Sequence, residues 1–201
     1  MPTSRIQVVW SHPRSTSLTA AIAADVIAAL RDAGATVDEL DLARTDFDPR
    51  LLPVDEPDWE DPDHRYSDEV MAHASRSRSA DAVVFVFPVW WYSLPAQLKG
   101  YIDRVWNHGL FYGAGRRAGI PAVRWLGVAG ESEESFAKRG YDEMMARHLN
   151  VGIAGLCGIQ DSRLELLYDA LGEDIDDLDA HFTALRRRAV SAALEVLPTQ
   201  G

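Results

Sequence analysis

FVFPVWWYSLPAQLKGYIDRVW, residues 85–106, contains a strand, a turn and a helix in direct succession. The strand begins three residues earlier, and its continuous apolar run is typical of a strand that is buried on both faces. The apolar spacing over residues 95–106 predicts a helix, and proline suits the first turn of a helix. Between the two elements lie Trp90, Trp91 and Tyr92. Three large rings at a strand end are costly to leave in water, so we expect them to pack against a flat surface.

Strand-like and helix-like segments alternate along the chain. Residues 6–10 and 36–42 are predicted strands, and the apolar spacing between them predicts a helix that ends at Gly34. The other predicted elements are a helix end at 71–79, strands at 82–87, 123–129 and 151–157, and helices at 141–149 and 176–197. This alternation predicts an α/β fold, in which a doubly wound, five-stranded parallel sheet carries helices on both faces.

The composition excludes several classes of partner. The chain has 201 residues and a net charge of −11. Its length suits a single domain, residues 1–201. So acidic a chain repels phosphate backbones and anionic lipid, and we expect no nucleic-acid partner. There is no visible signal peptide and no apolar run of the roughly eighteen residues that a membrane span needs, so we expect a cytoplasmic protein without membrane insertion.

Two other features of the sequence have simple interpretations. Cys157 is the lone cysteine, so it forms no internal disulfide, and we expect it to be a small buried side chain rather than a nucleophile or part of a metal site. Residues 46–68 are rich in Asp, Glu and Pro and are long for a loop. They are either a solvated excursion or an arm that contacts a partner or covers a pocket, with Trp59 as its anchor.

The first and third predicted strands end in loops that can carry chemistry. In doubly wound sheets, ligands bind beyond the carboxyl ends of the strands, where the strand order reverses. The first loop, SHPRSTS at residues 11–17, opens a helix, whose amino terminus offers free N–H groups and hydroxyls to a phosphate. His12 and Arg14 add donors. The alternative is that Ser17 simply caps the helix.

The other two loops offer flat faces and small residues. PVWWYS, residues 88–93, presents rings and backbone amides, unless the rings belong to the core or to a subunit interface. GVAGESEES, residues 127–135, allows close backbone approach to a ligand, unless it is an ordinary turn. A seat for a phosphate beside a surface for a flat ring fits FMN or the FMN half of FAD.

These loops resemble those of the flavodoxin-like NAD(P)H:quinone oxidoreductase family, which includes DT-diaphorase and the ancillary subunits of bacterial potassium efflux systems. The resemblance covers residues 5–160, and its most specific part is the series from Pro88 to Val105. It implies a flavodoxin-like fold and a bound FMN or FAD. It also implies that NAD(P)H gives a hydride to the flavin N5, and that a quinone or similar flat aromatic acceptor then takes the two electrons.

The resemblance assigns the cofactor-binding residues to three loops. Those expected at the flavin phosphate are His12, Ser17, Leu18 and Thr19. Those expected along the ring are Pro88, Val89, Trp90, Trp91 and Tyr92, followed by Ala129, Gly130 and Glu131 of the glycine loop. The family often has glutamine at the position of Trp90 and Thr-Thr-Gly-Gly in place of residues 127–130. Two side-chain contacts of the family are therefore missing from this chain.

The resemblance also implies catalytic residues and a homodimer. The family uses a tyrosine and a histidine after the glycine loop to stabilise the charge of the reduced flavin. Here GESEESFAKRGYDE has no histidine, and we expect Arg139 and Tyr141 to substitute, unless they are a surface arginine and a helix-starting tyrosine. In the expected dimer with shared active sites, Phe111 and Tyr112 form a lid over the second subunit's flavin. The acceptor pocket then comprises Trp91, Tyr92, Phe111 and Tyr112.

Two other functions remain as alternatives to the enzyme. One is a cytoplasmic regulatory subunit of a potassium efflux transporter, with ancillary quinone reductase activity. The other is an electron carrier of the flavodoxin type. We favour the enzyme over the carrier, because a single-electron shuttle needs neither a nicotinamide pocket nor a dimer lid.

Overall fold

A parallel sheet of five strands forms the centre of the computed structural model, which describes residues 3–198. The strands, in chain order, are β1 (Arg5–Trp10), β2 (Thr36–Asp41), β3 (Ala82–Pro88), β4 (Ala122–Val128) and β5 (Asp161–Leu167). Their order across the sheet is β2-β1-β3-β4-β5, and every neighbouring pair is parallel. The predicted doubly wound architecture is confirmed, and the strand order reverses between β1 and β3.

Helices cover both faces of this sheet. They are α1 (Leu18–Asp32), α2 (Asp68–Arg78), α3 (Ala96–Val105), α4 (Glu133–Arg139), α5 (Tyr141–Ala146) and α6 (Leu178–Leu194). Helices α1 and α6 pack on one face, and α2, α3 and α5 bury their apolar residues on the other. A 3₁₀ turn, Pro53–Asp55, precedes α2, and a π-helical segment, Arg147–Gly155, follows α5. Among residues 3–198, no helix has the length and apolar character that crossing a bilayer requires.

The first helix shows how the sequence sets local structure. Ser17 caps its amino terminus, since its hydroxyl oxygen accepts a hydrogen bond from the Ala20 N–H at 3.2 Å. Ile22 and Val26 lie on one face of the helix and are fully buried. Gly34 follows the helix with φ at +88°, a left-handed conformation that glycine adopts without strain. The predicted helix and its end are confirmed.

The strand predicted at residues 151–157 is wrong. That apolar run lies mostly in the π-helical segment Arg147–Gly155, and the fifth strand is β5 instead. β5 is an edge strand that is only partly buried over most of its length, so it carries polar residues and lacks a continuous apolar run. Burial within the sheet does not explain the apolar run at residues 151–157, since Val151 and Leu156 are 64% and 60% exposed.

The acidic segment 46–68 packs against α3. Asp55 is fully buried, and its carboxylate accepts hydrogen bonds from Nη2 and Nε of Arg104 at 2.7 and 3.2 Å. Arg104 is 1% exposed and also pairs with Glu69 at 2.9 Å. Trp59 stays exposed and lies against the His108 ring, with 5.0 Å between ring centroids. The segment is therefore a packed arm rather than a solvated excursion, and its contact with a partner stays a prediction.

The buried Asp55–Arg104 pair leads to a prediction about stability. We expect Asp55→Asn to lower the free energy of unfolding by about 3–5 kcal/mol, because the buried Arg104 charge loses its fully buried partner. Urea unfolding at pH 7 measures the loss. The matched control is Asp103→Asn, which removes the exposed partner of Lys99 on the same helix and is expected to cost less than about 1 kcal/mol. Equal losses in the two variants would contradict this account.

The ionisation of Asp55 determines how the difference in free energy of unfolding between the native chain and Asp55→Asn depends on pH. Burial raises the pKa of Asp55, but hydrogen bonds from Arg104 and Ser67 and the charge of Arg104 outweigh it and hold the pKa below its usual value. A carboxyl with a lowered pKa stabilises the fold above its unfolded pKa of about 3.9. The stability gap between the native chain and Asp55→Asn is therefore full at pH 7 and narrows as the pH falls below about 4.

Candidate functional site

A cleft with a cavity volume of about 520 Å³ opens at the carboxyl edge of the sheet, where β1, β3, β4 and β5 end. Predicted site residues that line it are His12, Ser17, Leu18, Thr19, Pro88, Val89, Trp90 and Gly130. Ala129 and Glu131 flank Gly130, and Trp91 and Tyr92 follow Trp90 in the same turn. The structure thus brings the three predicted loops together at one edge.

The loop after β1 presents donors to the cleft. The His12 Nδ1 lies 3.0 Å from the Arg14 amide nitrogen and 3.2 Å from the Arg14 carbonyl oxygen, so the tautomer of the ring sets whether Nδ1 accepts from the first or donates to the second. Burial lowers the pKa of His12 below its usual value; the backbone hydrogen bond to Arg14 opposes this shift, and the charges of Arg14 and Arg44 add to it. Next to it, the amino terminus of α1 offers unpaired N–H groups and the hydroxyl hydrogen of Ser17. Together these groups can hold an anion.

Two residues that the sequence analysis did not single out hold the neighbouring loops in place. Arg44 donates to the His12 carbonyl oxygen at 3.3 Å from behind the loop. Gln97, in the first turn of α3, accepts from the Ser11 hydroxyl at 2.8 Å and donates to the Leu42 carbonyl oxygen. The sequence gives neither residue this role, although Gln97 lies within the series from Pro88 to Val105, because both act on loops that meet only in the folded chain.

The aromatic turn, residues 90–93, is a strained hairpin. Trp90 and Ser93 exchange backbone hydrogen bonds of 3.3 and 3.1 Å. Between them Trp91 and Tyr92 have φ values of 53° and 54°, as in a type I′ turn, where Asn-Gly is the usual pair. Trp90 is 45% and Trp91 95% exposed, so neither belongs to the core of this chain. A strained turn that presents apolar rings to solvent indicates a functional role.

Arg139 and Tyr141 lie beside this turn. The Tyr141 ring stacks on the Tyr92 ring, with 3.7 Å between centroids. The Tyr92 hydroxyl donates to Glu131 Oε1 at 2.9 Å, and the Arg139 Nη1 lies 3.7 Å from Glu131 Oε2. The hydrogen bond to Glu131 is the main cause that raises the pKa of Tyr92 to about 12, so its phenol stays neutral. Arg139 ends α4 and Tyr141 begins α5, and both contact the predicted site.

The two residues expected to form a lid have different environments. Phe111 is fully buried and stacks on Trp106, with 5.1 Å between ring centroids, and its part in a lid stays a prediction. Tyr112 is partly buried and lies outside the cleft, at a separate cavity of about 160 Å³ that Leu156 and Cys157 also line. Its placement over a second subunit's site stays a prediction. Cys157 is buried as expected, and burial raises its pKa to about 12.

One wall of the cleft comes from a loop that the sequence analysis did not consider. Ala170 and Leu171 follow β5, and the Ala170 N–H donates to the Ala129 carbonyl oxygen at 2.9 Å. Leu171 is 68% exposed and lies over Gly130, where an added Cβ would come within 3.2 Å of the Leu171 Cδ1. The sequence carries no distinctive signal for this role, because Leu171 is one of several apolar residues in its loop.

The strained turn leads to a second prediction. We expect Trp91→Asn to raise the free energy of unfolding by about 1 kcal/mol, because asparagine tolerates the left-handed conformation and the lost side chain is exposed. The control is Leu51→Asn, at a residue that is 48% exposed and has no positive φ. There we expect a change within about 0.5 kcal/mol. Thermal or urea unfolding of both variants measures the effect, and a loss of stability in Trp91→Asn would contradict the strain.

Comparison with known proteins places this arrangement in a family. The model of the flavodoxin-like fold family matches residues 4–190. YcaK of Escherichia coli K12, named an uncharacterized NAD(P)H oxidoreductase, is 42% identical over 182 residues, which are 90% of this chain and 92% of that protein.

Solved structures show the same architecture. The NAD(P)H:quinone oxidoreductase from Methanothermobacter marburgensis is 26% identical, with a TM-score of 0.86 over 100% of both chains. An FMN-dependent NADH-azoreductase from Bacillus anthracis, in complex with FMN, shares the fold at 14% identity, with a TM-score of 0.70 over 98% of this chain and 100% of that one. The resemblance noted in the sequence is confirmed: the chain belongs to the flavodoxin-like family that includes NAD(P)H:quinone oxidoreductases.

Proposed function

We propose that this protein is a flavin-dependent NAD(P)H oxidoreductase that passes two electrons to a quinone or a similar flat aromatic acceptor. The observation that carries the proposal is the cleft at the β1–β3 edge, where a set of anion-binding donors meets a wall of apolar residues. FMN or FAD, when bound there, would supply a ring that accepts hydride at N5. The names of the relatives support the same activity.

The residues of the first loop fit the phosphate of a flavin nucleotide. In the tautomer whose Nδ1 accepts from the Arg14 N–H, His12 can donate from Nε2, and the amino terminus of α1 adds the N–H groups of Leu18 and Thr19. Arg14 lines the same part of the cleft. This local concentration of donors stands out in a chain with a net charge of −11. Charge-assisted hydrogen bonds of this kind favour a bound phosphate over water.

The opposite part of the cleft fits a flat ring. Pro88, Val89, Trp90 and Leu171 supply apolar surface that excludes water, and Gly130 lets the ring approach the backbone closely. We assign Arg139 and Tyr141, beside the aromatic turn, to the polar edge of the ring, where a positive charge and a hydroxyl offset developing negative charge.

The absorbance spectrum of the purified protein tests this function. We expect a yellow protein whose visible absorbance bleaches on anaerobic addition of NADPH or NADH, and whose released cofactor is identified as FMN or FAD by chromatography. The double variant Arg139→Ala/Tyr141→Phe should keep the colour and bleach at least about tenfold more slowly, the size of one lost charged interaction. A colourless protein that binds neither flavin would overturn the proposal. An unchanged bleaching rate would overturn the roles of the two residues.

We also propose a homodimer with shared active sites. Three exposed apolar side chains, Met144, Val151 and Leu156, lie on or directly after α5 and the π-helical segment, and Leu156 shares a cavity with Tyr112. A monomer gains nothing from exposing this apolar surface. In the dimer, Tyr112 of one copy would cover the cleft of the other.

The exposed apolar side chains lead to a prediction about assembly. Leu156→Glu should convert a dimer into a monomer, because it places a charge in the contact surface. Val54→Glu, at a residue that is 52% exposed on the acidic segment, should leave the dimer intact. Sedimentation velocity distinguishes the two species. A monomeric native protein, or equal behaviour of the two variants, would contradict the shared site.

We retain a cytoplasmic location and a single domain over residues 1–201 as parts of the proposal. The family match over residues 4–190 supports the single domain. The alternative of a transporter's regulatory subunit has no specific observation in its favour, since the relatives are named as oxidoreductases.

A further inference from the structure

The Tyr92–Glu131 hydrogen bond joins the aromatic turn to the next loop of the cleft. Tyr92 ends the strained pair after β3, and Glu131 follows the glycine loop after β4. The hydroxyl donates to a carboxylate oxygen at 2.9 Å, which is within the ordinary range of an O–H···O hydrogen bond. The two loops meet side chain to side chain at this contact.

The turn needs such an external contact. Two consecutive residues with side chains in the left-handed region are strained, and neither Trp91 nor Tyr92 is one of the residues that relieve that strain. The Trp91 side chain is 95% exposed and offers no packing in return. Tyr92 therefore supplies the compensating interactions, through its stack on Tyr141 and its bond to Glu131. The bond is the directional interaction of the two.

Glu131 is itself held on three sides. The Ser135 hydroxyl donates to its second carboxylate oxygen, and the Arg139 guanidinium lies 3.7 Å from the same oxygen. The backbone carbonyl oxygen of Glu131 accepts from the Asp169 N–H, in the loop after β5, at 3.0 Å. Two residues of α4 thus hold the Glu131 side chain, and the loop after β5 holds its backbone. A fixed acceptor can set the position of a mobile donor.

We propose that Glu131 is a positioning residue for the aromatic turn. By accepting the Tyr92 hydroxyl, its carboxylate keeps Trp91 and Tyr92 in their left-handed conformation and so keeps the ring-binding wall of the cleft assembled. Glu131 acts through Tyr92, and it needs no contact with a cofactor of its own. The inference rests on the proposed function only for the identity of what the wall binds.

Amide hydrogen exchange in the cofactor-free protein tests the positioning role. We expect the Trp90 and Ser93 amides, which close the turn, to exchange about tenfold faster in Glu131→Ala and in Tyr92→Phe, the size of a lost hydrogen bond to a charged group. Tyr92→Phe keeps the stack and loses only the hydroxyl. The double variant should match the singles, because both changes remove the same bond.

Two further variants distinguish the loss of the Tyr92–Glu131 hydrogen bond from the loss of a negative charge. Glu131→Gln keeps an acceptor oxygen and should stay within about threefold of the native exchange rates. Glu134→Ala removes an exposed carboxylate three residues away and should have no effect on the turn. Unchanged amide exchange in Glu131→Ala would overturn the proposal. So would a double variant whose rates increase by the product of the two single effects. So would Glu131→Gln behaving like Glu131→Ala.

Titration with FMN extends the test to the cleft. We expect Glu131→Ala and Tyr92→Phe to raise the FMN dissociation constant by a similar factor of about ten, and Glu131→Gln to restore tight binding. If native protein binds no flavin, the proposed function fails while the exchange experiment still decides the role of Glu131. If the native protein binds FMN and all variants bind it equally, the positioning role fails while the function stands.

Discussion

Parallel pairing of β1 with β3 determines where chemistry can occur in this protein. The register aligns Ile6 with Ala82 and Trp10 with Val86, and the Ser11 N–H continues the ladder to the Val86 carbonyl oxygen at 3.3 Å. The two strands therefore end together, and their loops open at the same edge. The amino terminus of α1 and the aromatic turn lie side by side for this reason, with 6.1 Å between the His12 and Trp90 ring centroids.

The edge of the sheet is also where local preference and structure disagree. Trp and Tyr are poor choices for a left-handed turn, and an exposed tryptophan gains nothing from the fold. Such conflicts persist in natural proteins mainly at functional sites, where the surrounding contacts hold the strained form. Here those contacts come from Glu131, in the loop after β4, and from Tyr141 of α5, so the aromatic turn depends on elements that follow β4.

The sequence predicts the fold well because three of the strands are recognisable from their apolar runs. β3 and β4 are buried at every position and most of β1 is buried too, so their apolar runs are nearly continuous. The edge strand β5 is only partly buried and carries polar residues, so it has no apolar run that would identify it as a strand. The phosphate and ring loops were predicted from a helix terminus and a family motif, which are local in sequence. Arg44, Gln97 and Leu171 were not, because each acts on a loop that is distant in the chain.

The one wrongly predicted strand is informative about assembly. An apolar run normally reports burial, and at residues 151–157 the chain has such a run without burial of Val151 and Leu156. Val151 and Leu156 face solvent, and Leu156 shares a cavity with Tyr112, a residue that lies outside the cleft of its own chain. A second copy that covers Val151 and Leu156 would satisfy both observations at once, because the same contact would bring Tyr112 to a neighbouring cleft. The π-helical winding of Arg147–Gly155 fits this view, since such segments are frequent at functional sites.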